Sequence, residues 1–290
     1  MSSGMREKKR KIREALGGLY PNREVEAIMR IIFDSVMGYS PVDMALHADD
    51  TLPGPASDKI DGILARLVEH EPIQYVIGQA RFYGLRFSVD RSTLIPRPET
   101  ERLVDMAVAG ARGRSDLRAL DIGTGSGCVA IALARTLKFP AVTATDISAQ
   151  ALEVARRHAR DLKVRVTFEL SDILTATPPA RPAYDIIVSN PPYITQAERA
   201  AMSRNVLDYE PHTALFAPPD DPLAIYRAIT TYAASALKPG GSLYLETSPT
   251  LAAEVAAMLE KAAMTAVDTE RDFNGLTRYV TAKRPKPEFI

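Results

Sequence analysis

Cysteine is nearly missing from this sequence: Cys128 is the only one among 290 residues. A single thiol excludes an internal disulfide and a thiolate-cluster metal site, which fits a reducing compartment. Histidine is scarce as well. His47, His70, His158 and His212 are scattered, with no pair at the i, i+4 spacing of a helical metal site. Net charge is also absent, because 36 Lys and Arg cancel 36 Asp and Glu. A protein that grips duplex DNA usually carries a basic surplus to replace counterions, so this balance argues against a stable nucleic-acid partner. No apolar run approaches the ~20 residues of a membrane helix. The N-terminus is polar, unlike a signal peptide, and Met1-Ser2-Ser3-Gly4 ahead of Met5 looks like an appended remnant. These absences point to a soluble, metal-free, cytoplasmic protein with no membrane partner.

What is present is an ordinary globular composition, 46% hydrophobic and 25% charged, enough to bury a core. The length fits one large domain plus a small one. From residue 5 to about 75 the pattern is helical. Val25, Ile28, Ile32 and Val36 share one helix face, and Ile60, Ile63, Leu64 and Leu67 share another. Asp49 to Pro55 interrupts them as a loop. The run Arg6-Glu7-Lys8-Lys9-Arg10-Lys11 reads as a solvated helix face. Residues 1–78 are therefore expected to form a small helical domain. Residues 79–98 are expected to be a connector built on a hairpin, with strands over Phe82–Phe87 and Phe87–Asp90.

Residues 99–290 change character. Apolar runs at 119–122, 141–146, 164–168, 184–189 and 242–246 alternate with helical stretches such as 129–137, 149–160 and 223–237. This alternation predicts an α/β, doubly wound sheet covered by helices on both faces. Two runs near the end, 265–269 and 277–282, lie close together across Asn274-Gly275 and can only pair antiparallel. The expected fold is a mostly parallel, seven-stranded sheet with an antiparallel C-terminal hairpin.

The segment Asp121-Ile122-Gly123-Thr124-Gly125-Ser126-Gly127 follows the first strand of this domain and opens a helix. Glycines allow a sharp turn and close approach of a ligand, and the helix N-terminus adds oriented N–H groups. Asp146 ends the next strand, where doubly wound folds place a carboxylate on ribose hydroxyls. A nicotinamide fingerprint would require G-x-G-x-x-G, with glycine at position 128. Here the spacing is G-x-G-x-G, which resembles the loop that binds S-adenosylmethionine. Asp172, in Ser171-Asp172-Ile173, follows the third strand. From position alone it is equally a partner for an adenine amino group or a turn and helix-capping aspartate.

Asn190-Pro191-Pro192-Tyr193 follows the fourth strand, at the sheet edge where open α/β folds bind ligands. Two prolines stiffen the chain and remove two N–H donors. Carbonyl acceptors remain beside the Asn190 amide and an aromatic ring that can pack on a flat group. That set suits a planar substrate bearing NH2. An amide nitrogen is a poor nucleophile because its lone pair is delocalised; acceptors aimed at its N–H bonds and a fixed pose favour attack on a sulfonium methyl. No metal is required, and no general base is evident.

Together these residues resemble the release-factor glutamine N5-methyltransferases (PrmC/HemK). The resemblance includes Glu71-Pro72-Ile73-Gln74-Tyr75, Phe82-Tyr83-Gly84, the segment from Leu94 through Arg97, Glu99 and Glu101, the glycine loop, Asn190 to Ile194, and Tyr209-Glu210-Pro211. It runs from about residue 70 to 283. It implies methyl transfer from S-adenosyl-L-methionine, leaving S-adenosyl-L-homocysteine, to the glutamine of the Gly-Gly-Gln motif in peptide chain release factors. It implies that Gly123, Thr124, Gly125, Ser126, Gly127, Asp146, Ile147, Asp172, Ile173 and Asn190 bind the cofactor. Asn190, Pro191, Pro192 and Tyr193 would hold the glutamine amide, Arg97 and Glu99 would shape the wall beside it, and the helical domain would help dock the release factor. For Arg97 and Glu99 an ion-pair scaffold is an equal alternative. Three positions depart from the family pattern: Ile173 where an aromatic is common, Ala217 to Pro222 in place of a glycine-rich turn, and Thr247-Ser248 after Glu246. Two other functions fit parts of the same sequence: an adenine-N6 methyltransferase acting on DNA or RNA, whose flipped base presents a similar NH2 group, and a non-catalytic cofactor-binding protein.

Overall fold

In the computed structural model, which describes residues 4–287, the periodic apolar faces of the N-terminal region become helices. These are α1 (Met5–Leu16), α2 (Asn22–Met37), α3 (Pro41–Leu46), α4 (Gly54–Leu67) and α5 (Ile73–Ile77). Val25, Ile28 and Ile32 of α2 and Ile60, Ile63, Leu64 and Leu67 of α4 are all buried in one core. Gly38, in the left-handed conformation, ends α2. Of Met1-Ser2-Ser3-Gly4, read as an appended remnant, the first three lie outside the described residues, while Gly4 forms an isolated antiparallel bridge with Thr51.

The basic run on α1 is a solvated face only in part: Arg6, Glu7, Arg10 and Lys11 are exposed, as expected, but Lys8 and Lys9 are drawn inward. Lys8 is buried, its Nζ donating to Asp61 Oδ2 at 2.8 Å and to the Ser57 carbonyl at 3.3 Å. Lys11 reaches Asp61 Oδ1 at 2.7 Å, and Lys9 donates to the Met44 carbonyl at 2.8 Å. A lysine is buried only when its ammonium is paired, and Asp61, with its carboxyl held below the usual range by Lys11 and Lys8, supplies the partner.

The chain divides into two compact units. One comprises the residues up to Gln79 together with Ser203–Tyr209; the other runs over Ala80–Met202 and from Glu210 onward. The second unit begins within a hairpin of β1 (Gln79–Phe82) and β2 (Leu85–Ser88), one residue into β1. Its turn is Tyr83-Gly84, both at positive φ (49° and 72°), as a two-residue type I′ hairpin requires. The strands therefore sit earlier than the expected Phe82–Phe87 and Phe87–Asp90. The Tyr83 N–H donates to Glu101 Oε1 at 2.7 Å, tying the turn to the next helix, α6 (Pro98–Gly110).

The main sheet is built from β3 (Arg118–Ile122), α7 (Cys128–Thr136), β4 (Ala141–Asp146), α8 (Ala149–Asp161), β5 (Thr167–Leu170) and β6 (Tyr184–Ser189). Short helices α9 (Arg204–Leu207) and α10 (His212–Leu215) follow, then α11 (Ala224–Ala236), β7 (Leu237–Glu246), α12 (Ala252–Lys261), β8 (Thr265–Arg271) and β9 (Thr277–Lys283). Strand order is β5-β4-β3-β6-β7-β9-β8. The first five strands pair in parallel, and β9 pairs antiparallel with β7 and β8. The expected seven-stranded architecture is the one found. Each face has its own core, one including Ala119, Ile131 and Val188, the other including Leu120, Ile187 and Leu245. Neighbouring residues of β3 and β6 alternate between the two, as a pleated strand demands.

Two strand boundaries differ from expectation. β5 begins at Thr167 rather than Val164, because Val164 N–H is taken by the Ala159 carbonyl at the end of α8 and Lys163 turns at φ 56°. β7 begins at Leu237 rather than Ser242, with the register slipping between Tyr184 and Ile186 across Pro239-Gly240-Gly241. The closing turn of β8–β9 is held by Asp272. Its Oδ1 accepts from the backbone of Asn274 and Leu276, and its Oδ2 from Arg278 Nε at 2.8 Å.

Candidate active site

Connections from β3 lead first to β4 on one side and later to β6 on the other, so the sheet reverses order between β3 and β6. Crevices at the carboxyl ends of strands flanking such a reversal are where doubly wound folds take ligands. Register brings Ile122, Thr145 and Ser189 level there, and Ser189 Oγ locks the row by donating to the Ile122 carbonyl at 2.7 Å.

The glycine loop is pinned from below and from one side. Gly123 and Thr124 N–H both reach the Thr145 carbonyl at 2.9 Å. Asp121 Oδ2 accepts from Thr124 Oγ1 at 2.6 Å and from Ala130 N–H at 3.1 Å, linking strand, loop and first turn of α7. Burial pushes the Asp121 carboxyl up to about 7, partly offset by those two donors. Gly127 begins α7 at φ 81°, and a Cβ there would lie 2.9 Å from the Ala155 Cβ of α8. Gly127 is thus a packing glycine, absent from the cleft lining, while Gly123 to Ser126 face the cleft.

Asp146 ends β4 with both oxygens engaged, Oδ2 by Gly125 N–H and Oδ1 by Ser148 N–H, each at 2.8 Å. Burial raises its carboxyl, and the backbone donors oppose that rise. Each oxygen retains a second lone pair for a hydroxyl. Ile147 is exposed beside it, and Asp172 and Ile173 border the same cleft. Asp172 Oδ1 accepts from Leu174 N–H at 2.9 Å, so it serves as a turn residue while remaining on the wall.

Asn190, Pro191 and Pro192 close the other side of this cleft, whose volume is about 600 Å³, within the range of small-molecule sites. Tyr193 turns away from it. Its hydroxyl donates to Glu246 Oε1 at 3.2 Å and accepts from Arg278 Nη1 at 3.2 Å. Thr100 lies on the cleft wall, accepts from Asn190 Nδ2 at 3.1 Å and donates to Glu246 Oε2 at 2.8 Å. Burial pushes Glu246 up to about 7, against the pull of the Thr100 hydroxyl and Arg278. Thr100, Glu246 and Arg278 were not among the expected site residues. The available signal was a carboxylate and two hydroxyls, Glu246-Thr247-Ser248, ending an apolar strand.

Arg97 lines the cleft and pairs with the buried Glu210, Nη2 to Oε1 at 2.5 Å, while Glu210 Oε2 accepts from Ile95 N–H at 3.2 Å. The two motif segments around Arg97 and Glu210 are therefore one ion-paired structure. Glu99 does not line the cleft; its backbone carbonyl accepts from Tyr279 OH at 2.7 Å.

Comparison with known proteins places this arrangement. The family model for the PrmC N-terminal domain matches residues 10–78, and that for the methyltransferase small domain matches 106–209. A release factor glutamine methyltransferase of Bacteroides thetaiotaomicron is 41% identical over 273 residues, 94% of this chain and 98% of that protein. This chain belongs to the release factor glutamine methyltransferase family. Its relatives in the family include the Neisseria gonorrhoeae protein, 36% identical over 93% of this chain and 96% of that one. Among solved structures, a methyltransferase from Pyrococcus furiosus aligns at a TM-score of 0.52 with 18% identity, over 76% of this chain and 97% of that chain. The Thermus thermophilus 16S rRNA N2 G1207 methyltransferase, solved with AdoMet and guanosine, aligns at 0.52 with 20% identity, over 71% and 49%. At those identities the likeness is one of fold.

Proposed function

We propose that this enzyme methylates the side-chain amide nitrogen of the glutamine in the Gly-Gly-Gln motif of peptide chain release factors, using S-adenosylmethionine. One observation carries the reading. Asn190, Pro191 and Pro192 face the same cleft as the glycine loop and Asp146, so amide acceptors and a nucleoside cradle share one cavity. The residues present fit the cofactor. Asp146 keeps lone pairs for two ribose hydroxyls, Gly123 to Ser126 leave room for close approach, and Ile147, Ile173 and Leu174 offer apolar surface for a flat ring. When bound, the cofactor supplies a methyl group on a sulfonium that is already activated, so the donor set needs no metal.

The chain's own part is binding and orientation. Asn190 and the proline-flanked carbonyls accept the two N–H bonds of the glutamine amide and orient its nitrogen toward the nucleoside side of the cleft. The Arg97–Glu210 pair stiffens the wall that the glutamine passes, since a buried carboxylate held by an arginine and a backbone N–H has little freedom. Gly127 fixes the start of α7 against α8, keeping the loop in shape. The helical unit, residues 1–78 by the expected boundaries, is assigned to docking of the release factor. A cytoplasmic site of action belongs to the same reading. Among the described residues no helix is long and apolar enough to cross a membrane.

The test is methyl transfer from radiolabelled S-adenosylmethionine, offered in parallel to a release factor, its Gly-Gly-Gln→Gly-Gly-Ala variant and DNA oligonucleotides. Label on the release factor that vanishes in the variant is the expected result. Label on DNA alone would leave the amide pocket standing and overturn its substrate.

A further inference from the structure

A primary amide can be seated in two ways that fill the same space. In one, Asn190 offers the substrate a carbonyl oxygen; in the other, an NH2 group. Only the first accepts a hydrogen bond from the NH2 of a glutamine, so something must decide between them. Packing cannot, because oxygen and NH2 differ little in size. Hydrogen-bond partners can.

The Asn190 Nδ2 donates to Thr100 Oγ1 at 3.1 Å, and Thr100 Oγ1 donates onward to Glu246 Oε2 at 2.8 Å. A hydroxyl has one proton. In the ionised form of Glu246 that proton is committed to the carboxylate, and Thr100 then shows Asn190 only lone pairs, which attract its NH2 end and repel its oxygen. The carboxylate is well placed to hold this arrangement. Glu246 is 1% exposed and Thr100 3%, so no solvent competes for the hydroxyl proton. The other oxygen of Glu246 accepts from Tyr193 OH, which in turn is held by Arg278, itself anchored on Asp272. One carboxylate thereby reaches both ends of the Asn190–Tyr193 motif, through β7 lying beside β6 in the sheet.

We propose that Thr100 and Glu246 are positioning residues that fix the polarity of the Asn190 amide, so that its carbonyl oxygen is presented to the substrate NH2. The proposal rests on the reading of Asn190 as the residue that holds the glutamine amide. It also makes the pair a determinant of specificity. A site locked as an acceptor admits an amide and rejects an isosteric carboxylate, which brings no N–H and leaves the Asn190 oxygen unpaired.

Thr100→Val keeps the shape and removes the hydroxyl; Thr100→Ser keeps the hydroxyl and removes a methyl. Methylation of a release factor is measured for both, with cofactor affinity by calorimetry. In the valine variant kcat should fall at least about tenfold, with the S-adenosylmethionine Kd and the release-factor KM held within about threefold. The serine variant should return to within about threefold of the parent. Thr100→Ala carries the same expectation as valine should the valine variant not fold. An undiminished kcat for valine, a serine variant as slow as valine, or a lost cofactor affinity would each overturn the polarity lock. A parent enzyme that fails to label the Gly-Gly-Gln glutamine would instead sink the reading of the site itself.

Discussion

Asp146 Oδ2 accepts the backbone N–H of Gly125 at 2.8 Å, so the carboxylate ending β4 holds the middle of the glycine loop in place. Its place at the end of a strand implies a bond to the cofactor ribose alone. The structure adds a second duty, and the two make a joint prediction. Asp146→Ala should raise the Kd for S-adenosylmethionine by more than about tenfold, since it removes a ligand group and releases the loop. Calorimetric titration checks this, and unchanged affinity would remove Asp146 from the cofactor site.

Asn190→Ala should abolish methyl transfer while leaving cofactor affinity within about tenfold, roughly 1.4 kcal/mol. The asparagine faces the cleft with its donor end spent on Thr100, so its loss falls on the substrate side. Transfer assays and cofactor titration on the same preparation separate the outcomes. A large fall in cofactor binding would reassign Asn190.

The Asp121 carboxyl gives a pH prediction with a definite sign. Its value rises from 3.8 in the open chain to about 7 in the folded protein, because it is buried. The folded state therefore holds a proton that the unfolded state has released, between about pH 4 and pH 7. Stability from this group is fullest below that window and is lost as pH rises through it. Thr124 and Ala130 both donate to the same oxygen, so Asp121→Asn can keep both bonds without titrating. Its melting temperature relative to the parent should climb between pH 5 and pH 8. A difference that stays flat across that range would contradict the assignment.

Gly127→Ala should destabilise the fold by about 2 kcal/mol, combining a left-handed residue with a Cβ placed 2.9 Å from Ala155. Ala155→Gly removes the clashing Cβ at its own cost of about 1 kcal/mol as a helix-interior glycine, so Gly127→Ala should cost less in the Ala155→Gly background than in the parent, the backbone cost remaining. Urea denaturation of the parent, both single variants and the double variant measures it. A zero cost of Gly127→Ala in that background would mean that backbone strain at Gly127 is negligible.

On α1, Lys8→Ala should cost at least about 1 kcal/mol more than Lys11→Ala, although both lysines reach Asp61. Lys8 is 3% exposed and Lys11 57%, and exposed ion pairs contribute little. Equal urea midpoints for the two variants would disprove a structural role for the buried lysine.

Much of this protein was legible from composition and spacing. Period-two and period-3.6 patterns are local properties of the chain, and they mark α2, α4, the parallel strands and the antiparallel closing pair. The glycine loop and the Asn190–Tyr193 motif were legible for the same reason: each is a short run whose backbone chemistry is set by its own residues. Strand ends were less so. Val164 left β5 because a carbonyl of α8 claimed its N–H, a competition that spacing does not display.

What tertiary structure alone decided is which side chains meet across long separations. Thr100 lies in α6, Glu246 ends β7 and Asn190 directly follows β6, and only the pairing of β6 with β7 and the packing of α6 bring their polar atoms within 3.1 Å. Lys8 found Asp61, Arg97 found Glu210, and Tyr193 turned from the cleft toward Glu246 by the same route. The sequence by itself determined the elements and the motifs, because those depend on neighbours along the chain. The hydrogen-bond network that gives the site its polarity depends on neighbours in space, and burial sets its strength by excluding the water that would otherwise compete.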